Sequence, residues 1–198
     1  MLTIPFLAEL AAIRRDFHTH PELSFKEYRT AAIVADELNR HGLQVDRGLA
    51  STGVVGRLRW GNGRRAIGLR ADMDALPLTE KNVCAHRSQN EGVMHACGHD
   101  GHTAMLLGAA RYLAGHRASL ALDGTVYFIF QPAEESEGGA ARMIAEGLFE
   151  RFPMDAVFGL HNWPGLPVGV LAARSGPVMA GTSSFEITVQ GQGCHAAM

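Results

Sequence analysis

TVYFIFQPAEESEGGAARMIAEGLFERFPMDAVFGLH, Thr125 to His161, decides how this chain folds. Its first six residues, Thr125–Phe130, form a nearly continuous apolar run, the pattern of a strand covered on both faces. GGAARMIAEGLF (138–149) then has helical character, and AVFGL (Ala156–Leu160) is a second buried-strand run. Strand, helix and strand in that order predict parallel pairing through right-handed crossovers, so the class is α/β with a mixed, largely parallel sheet covered by helices. The same stretch sets Glu134 and Glu135 just past its first strand and His161 just past its second. Ligands of open α/β sheets bind outside those carboxyl ends.

Upstream, AIGLRA (Ala66–Ala71) is a further strand, with Asp72 and Asp74 beyond its end. HACGHDGHTAMLLGAA (His95–Ala110) packs three histidines, a cysteine and an aspartate into its first eight residues, then runs into a helix of small and apolar residues. GVVGRLRW (Gly53–Trp60) and LQV (Leu43–Val45) read as strands, and the Gly-Asn-Gly turn at 61–63 predicts a hairpin into Ala66–Ala71. Nearer the N-terminus, Phe6, Leu7, Leu10, Ile13 and Phe17 recur at helical spacing until Pro21. Ser24 and Glu27 have capping-box spacing for a second helix that stops at Gly42. His18 and His20 read as structural imidazoles meeting exposed carbonyls at the first helix's end.

Composition narrows the options. A chain of 198 residues, 46% hydrophobic and 19% charged, buries a core. Its net charge of -2, with both signs mixed along the chain, lacks the basic stripe that nucleic acid or an anionic membrane needs, so neither is expected as a partner. Cys84, Cys97 and Cys194 are odd in number and widely spaced, which fits a reducing compartment rather than a disulfide framework. MLTIPFLAELAAIRRDF lacks a basic start and a cleavage site and carries Glu9 in its short apolar stretch, so a cytoplasmic protein is predicted.

Taken singly, the polar residues have structural readings. Cys97 suits packing in a small-residue helix start, Asp100 suits an N-cap, His102 a first-turn surface position, and Asp72 and Asp74 turns or salt bridges. Taken together, Cys97, His99, Asp100, the carboxylates and His161 would have reached one crevice from separate segments by chance. Thiolate, imidazole and carboxylate suit a borderline divalent ion such as Zn²⁺, with Mn²⁺ and Co²⁺ as alternatives. Neighbouring carboxylates on extended backbone point apart, so one of Glu134 and Glu135 can ligate while the other faces a bound water.

DFHTHPELSFKE (16–27), GLRADMDALPL (68–78), MHACGHDGHTAMLLGAA (94–110), FIFQPAEESEGGA (128–140), GLHNWPGLPVG (159–169) and FEITVQGQGCHAAM (185–198) resemble, in family order, the metal-dependent amidohydrolases that include hippurate hydrolase, bacterial N-acyl-amino-acid amidohydrolases and plant indole-acetyl-amino-acid hydrolases. These belong to the aminoacylase and carboxypeptidase-like metallopeptidases. The resemblance implies a zinc-peptidase-like catalytic domain holding two divalent ions, Mn²⁺ or Zn²⁺. It makes Cys97, His99, Glu135 and His161 metal ligands, Glu134 the general base, and Asp72, Asp74 and Asp100 groups that orient ligands. His195, in a Gly-Cys-His-Ala-Ala context where the family usually has glycine at Cys194, would help hold the substrate carbonyl.

The implied reaction cleaves the amide of a small N-acyl amino acid. Related metallopeptidases that act on dipeptides or succinylated amino acids give a second reading, and a noncatalytic remnant that binds metal weakly a third. The resemblance also implies that the chain is the N-terminal part of a longer, dimeric enzyme. Residues 1–180 would be catalytic domain, and 181–198 the start of an inserted α+β lid, with its first strand at Ser183–Gln190. One ligand histidine would lie beyond Met198.

Overall fold

The computed structural model describes residues 4–135, 137–181, 183 and 185–197. They divide into two compact units, Met1–Asn162 and Trp163–Met198. The first holds every helix and strand described: α1 (Ile4–Thr19), α2 (Tyr28–Arg40), β1 (Gln44–Leu49), β2 (Gly53–Trp60), β3 (Ala66–Asp72), α3 (His99–Gly115), β4 (Gly124–Gln131), α4 (Gly139–Ala145), α5 (Leu148–Arg151) and β5 (Ala156–Gly159).

The sheet order is β1-β2-β4-β3-β5. β3 runs parallel to both β4 and β5, whereas β1–β2 and β2–β4 are antiparallel, so the parallel half of the sheet is the half that carries the site. β4 is buried along its whole length, as its apolar run predicts. Alternation along it builds two cores. Val126, Phe128 and Phe130 pack with Phe17, Val34, Leu38 and Leu107, whereas Tyr127 and Ile129 pack with Met143, Leu148 and Phe152. Helices α1, α2 and α3 therefore cover one face, and α4 and α5 the other.

Several expectations change. No hairpin joins β2 to β3, because β4 inserts between them. The turn is held open by Asp123 at the head of β4, whose carboxylate accepts the Gly63 amide at 2.6 Å. The predicted capping box is also absent: Glu27 is the N-cap of α2 without a side-chain cap bond. Glu22 supplies the cap instead, accepting the amides of Arg29 and Thr30 at 2.9 and 2.8 Å. The helix expected over 138–149 is two short helices, broken at Gly147, whose φ of +93° only glycine adopts readily.

β5 is exposed at all four positions rather than covered, because it is the sheet's edge. The described residues of Ser183–Gln190 form no strand. Phe185, Ile187 and Val189 alternate as a strand would but are 85%, 75% and 87% exposed, since an isolated strand has no ladder to join. Among the described residues no helix is long and apolar enough to cross a membrane.

Candidate metal centre

Three parallel strands end on the same side of the sheet and deliver polar residues there. β3 closes on Asp72 and is followed by Asp74, β4 is followed by Glu134 and Glu135, and β5 by His161. α3 opens beside them with Gly98 as its N-cap at φ +106°. A Cβ at Gly98 would strike the side chain of Asn162, so this approach of α3 to the segment after β5 requires glycine.

His99 lies at the middle, fully buried. Its Nε2 stands 3.6 Å from Glu135 Oε1, 3.6 Å from Asp72 Oδ2 and 3.9 Å from Glu134 Oε2, and its Nδ1 bonds Asp74 Oδ1 at 3.2 Å. Cys97 Sγ is 3.4 Å from His161 Nε2. Three overlapping donor groups result: Cys97 with His99 and His161, His99 with Glu134 and Glu135, and Asp72 with His99 and His102. Within each, the ligand atoms lie within 4.8 Å of one another. Of the predicted ligands, Cys97, His99, Glu135 and His161 thus come together, with Glu134 alongside.

Two of these atoms fit a cation between them. His99 Nε2 and Glu135 Oε1 are buried and have no hydrogen-bond partner, although they point at each other across 3.6 Å. Orphaned buried donors and acceptors are costly, and a cation between them satisfies both. Sulfur, nitrogen and carboxylate oxygen in one place are a donor set for Zn²⁺, Mn²⁺ or Co²⁺.

The electrostatics agree. Burial, and then the charge of Glu135, push the Cys97 thiol up to about 12, so without a cation it keeps its proton. Burial alone would lower His99, yet the hydrogen bond with Asp74 and the charges of Asp72, Asp74 and Glu135 outweigh it and raise the imidazole. Burial would raise Asp72, but the hydrogen bond from His102 and the Arg70 guanidinium hold it well below the usual carboxylate range.

Asp72 and Asp74 each hydrogen-bond an imidazole, His102 and His99 respectively. Asp74 bonds His99 and also accepts the Glu135 amide at 3.1 Å and the Ser24 hydroxyl at 2.9 Å. Asp100 is brought elsewhere: it bonds His18 at 2.9 Å and Arg14 at 2.8 Å, tying α3 to α1. His18 also reaches Glu80 at 3.1 Å, so it meets carboxylates rather than the helix-end carbonyls expected for it. His20 does bond a carbonyl, that of Asp16, at 3.0 Å. His95 is buried outside the donor groups, and burial lowers its pKa to about 4, leaving it neutral. His195 belongs to Trp163–Met198, where its Nδ1 accepts the Ala197 amide at 3.3 Å.

His102 is the residue that sequence reasoning placed on the surface and the fold buries in the centre. Its Nδ1 lies 2.6 Å from Asp72 Oδ1, and its Nε2 accepts the Asn162 amide at 3.0 Å. The signal was its spacing, three residues after His99 on one helix face.

Hippurate hydrolase of Campylobacter jejuni is 48% identical over 189 residues, 96% of this chain and 48% of that protein. IAA-amino acid hydrolase ILR1-like 5 of Arabidopsis thaliana is 44% identical over 193 residues, 98% of this chain and 43% of that protein. The crystal structure of the Bacillus subtilis YXEP protein, a dinuclear metal binding peptidase, superposes with a TM-score of 0.79 at 42% identity over 84% of this chain and 46% of that one. The chain spans about half the length of the curated relatives it matches. The family model of peptidase family M20/M25/M40 matches residues 68–197. That stretch carries every residue of the centre, and the chain belongs to peptidase family M20/M25/M40.

Proposed function

We propose that this chain carries the N-terminal part of the active site of a metal-dependent amidohydrolase that cleaves small N-acyl amino acids to a carboxylic acid and a free amino acid. The observation that carries the reading is the pair of orphaned buried atoms, His99 Nε2 and Glu135 Oε1, facing each other, with His99 also grouped with Cys97 and His161. In this reading Cys97, His99, Glu135 and His161 hold two divalent ions, Mn²⁺ or Zn²⁺. Bound there, the ions polarise the scissile carbonyl and acidify a water.

Both carboxylates lie beside His99 Nε2, and the greater exposure of the Glu134 side chain, 43% against 21% for Glu135, supports giving Glu134 the role that meets water. Glu134 accepts the proton of the water that adds to the amide carbon. The same carboxyl returns that proton to the nitrogen as the carbon–nitrogen bond breaks, releasing a neutral amine. Asp74 keeps His99 and the Glu135 backbone in register, and Asp72 does the same for His102. His195 would steady the substrate carbonyl from a lid that begins at residue 181 and pairs two subunits.

The test is hydrolysis by the full chain, supplied with Mn²⁺ or Zn²⁺, of N-acetyl and N-benzoyl amino acids beside dipeptides and succinylated amino acids. Release of free amino acid from the N-acyl substrates is expected. Cleavage of dipeptides alone would replace the reading with a dipeptidase, and metal binding without turnover on any substrate would leave a noncatalytic protein.

A further inference from the structure

Among the described residues, the non-glycine positions with left-handed backbone are Phe25 (φ 59°), Ala50 (φ 47°), Ser51 (φ 74°) and Ala133 (φ 51°). Such backbone is unfavourable for a residue with a Cβ and persists only where the surroundings hold it. The four come from three separate segments, and all three meet one carboxylate, that of Glu27, which is fully buried. Glu27 Oε1 accepts the Phe25 amide at 3.0 Å and the Ala133 amide at 2.9 Å. Its Oε2 accepts the hydroxyl of Thr52, whose amide in turn donates to Ala50 O at 3.0 Å.

Ala133 is the last residue before Glu134. Its carbonyl accepts the Gly139 amide at 2.9 Å, and a Cβ at Gly139 would strike the carbonyl of Pro132, so the turn is also closed from its far side. Asp74 then takes up the next amides along, and the Ser24 hydroxyl that steadies Asp74 belongs to the same short loop as Glu27.

We propose that Glu27 is a positioning residue of the metal centre: by accepting the Ala133 amide it holds the left-handed turn that brings Glu134 and Glu135 from the end of β4 to His99. The proposal rests on the roles given above to Glu134 and Glu135. Glu27 touches neither substrate nor metal and acts through the backbone. What it contributes is an acceptor at Oε1, and an amide side chain retains that acceptor while its nitrogen donates to Thr52 Oγ1.

The test compares Glu27→Gln, Glu27→Ala and Glu27→Ala combined with Ala133→Gly in the full chain. Turnover is read with Mn²⁺, and the coordination of Co²⁺ by its visible absorption. Glu27→Ala is expected to lower kcat by about tenfold or more with KM changed far less, because displacing a catalytic group by an ångström is that costly. Glu27→Gln should stay within about threefold of wild type, since the acceptor is kept. Adding Ala133→Gly, which lets the turn form without its clamp, should recover part of the lost kcat and restore the Co²⁺ spectrum.

A Glu27→Ala protein that melts earlier but turns over normally per folded molecule, with an unchanged Co²⁺ spectrum, would overturn the proposal. So would failure of Ala133→Gly to recover anything. If Glu27→Ala does not fold, Thr52→Val, which removes one bond from the same carboxylate, is judged by the same criteria. If the wild-type chain hydrolyses none of the substrates, the functional reading fails, and the Co²⁺ spectra of the variants alone decide the positioning claim.

Discussion

Glu134 and Glu135 are adjacent in sequence and differ in surroundings, and that difference is testable one side chain at a time. Glu135 Oε1 is buried beside His99, whereas Glu134 reaches toward the same imidazole from a half-exposed position. Glu134→Gln is therefore expected to leave bound metal unchanged while lowering kcat by about 10²–10⁴, the usual worth of a positioned general base. Cys97→Ser and His161→Ala should instead lower metal content. Elemental analysis beside steady-state rates checks both, and equal metal loss in all three variants would refute the division of roles. Glu27 gives a pH prediction. Burial raises its carboxyl above the usual 4.5, against the hydrogen bonds from Thr52 and the Ala133 amide. The folded state thus holds this proton more tightly than the unfolded chain, so the stabilising contribution is complete below pH 4.5 and is lost as pH rises through the folded value. Glu27→Gln has no such loss. Urea denaturation should show the variant gaining on wild type as pH rises above the ordinary carboxylate value, and a difference independent of pH would contradict the assignment.

At the scale of elements, the strands were legible because burial writes itself into composition. The run Thr125–Phe130 is the central, wholly buried β4, and Ala66–Ala71 is the parallel strand beside it. Phe128, fully buried, should cost about 3–5 kcal/mol when cut to alanine, whereas Phe158, 56% exposed on the edge strand, should cost under about 1 kcal/mol. Chemical denaturation of both variants checks this, and equal losses would mean that β5 is covered. Pairing was less legible than the strands themselves. Nothing local to Gly61–Gly63 tells that a strand beginning at Gly124 will enter the gap, since that choice is made by long-range burial. The spacing of Ser24 and Glu27 matched a capping box, but each side chain found a tertiary partner worth more: Asp74 for Ser24, and the Ala133 amide for Glu27. The site residues stood out because they follow strand ends, which is a matter of chain order. His102 and Asn162 did not, because their pairing joins a helix face to a segment sixty residues away.

Across the whole molecule, the parallel half of the sheet gathers the chemistry and the antiparallel half supplies bulk and anchorage. β3, β4 and β5 end together at the donor groups, while β1 and β2 extend the sheet over α2. The loop before α2 links the two halves, since its Glu27 meets Thr52 between β1 and β2 as well as Ala133 after β4, and its Ser24 reaches Asp74 after β3. Loss of metal should accordingly be felt beyond the donor side chains. Binding to the folded state alone stabilises it by mass action, so chelation should lower the melting temperature of the wild-type chain, and far less that of Cys97→Ser. The central claim is that Cys97, His99, Glu135 and His161 converge to hold divalent metal. Anomalous diffraction from crystals of the full chain grown with Zn²⁺ tests it most directly. The account predicts density within about 2.0–2.3 Å of Cys97 Sγ and of imidazole nitrogens of His99 and His161, with Glu135 at carboxylate bonding distance. An absence of anomalous density among these four side chains, or metal held by other residues instead, would contradict it.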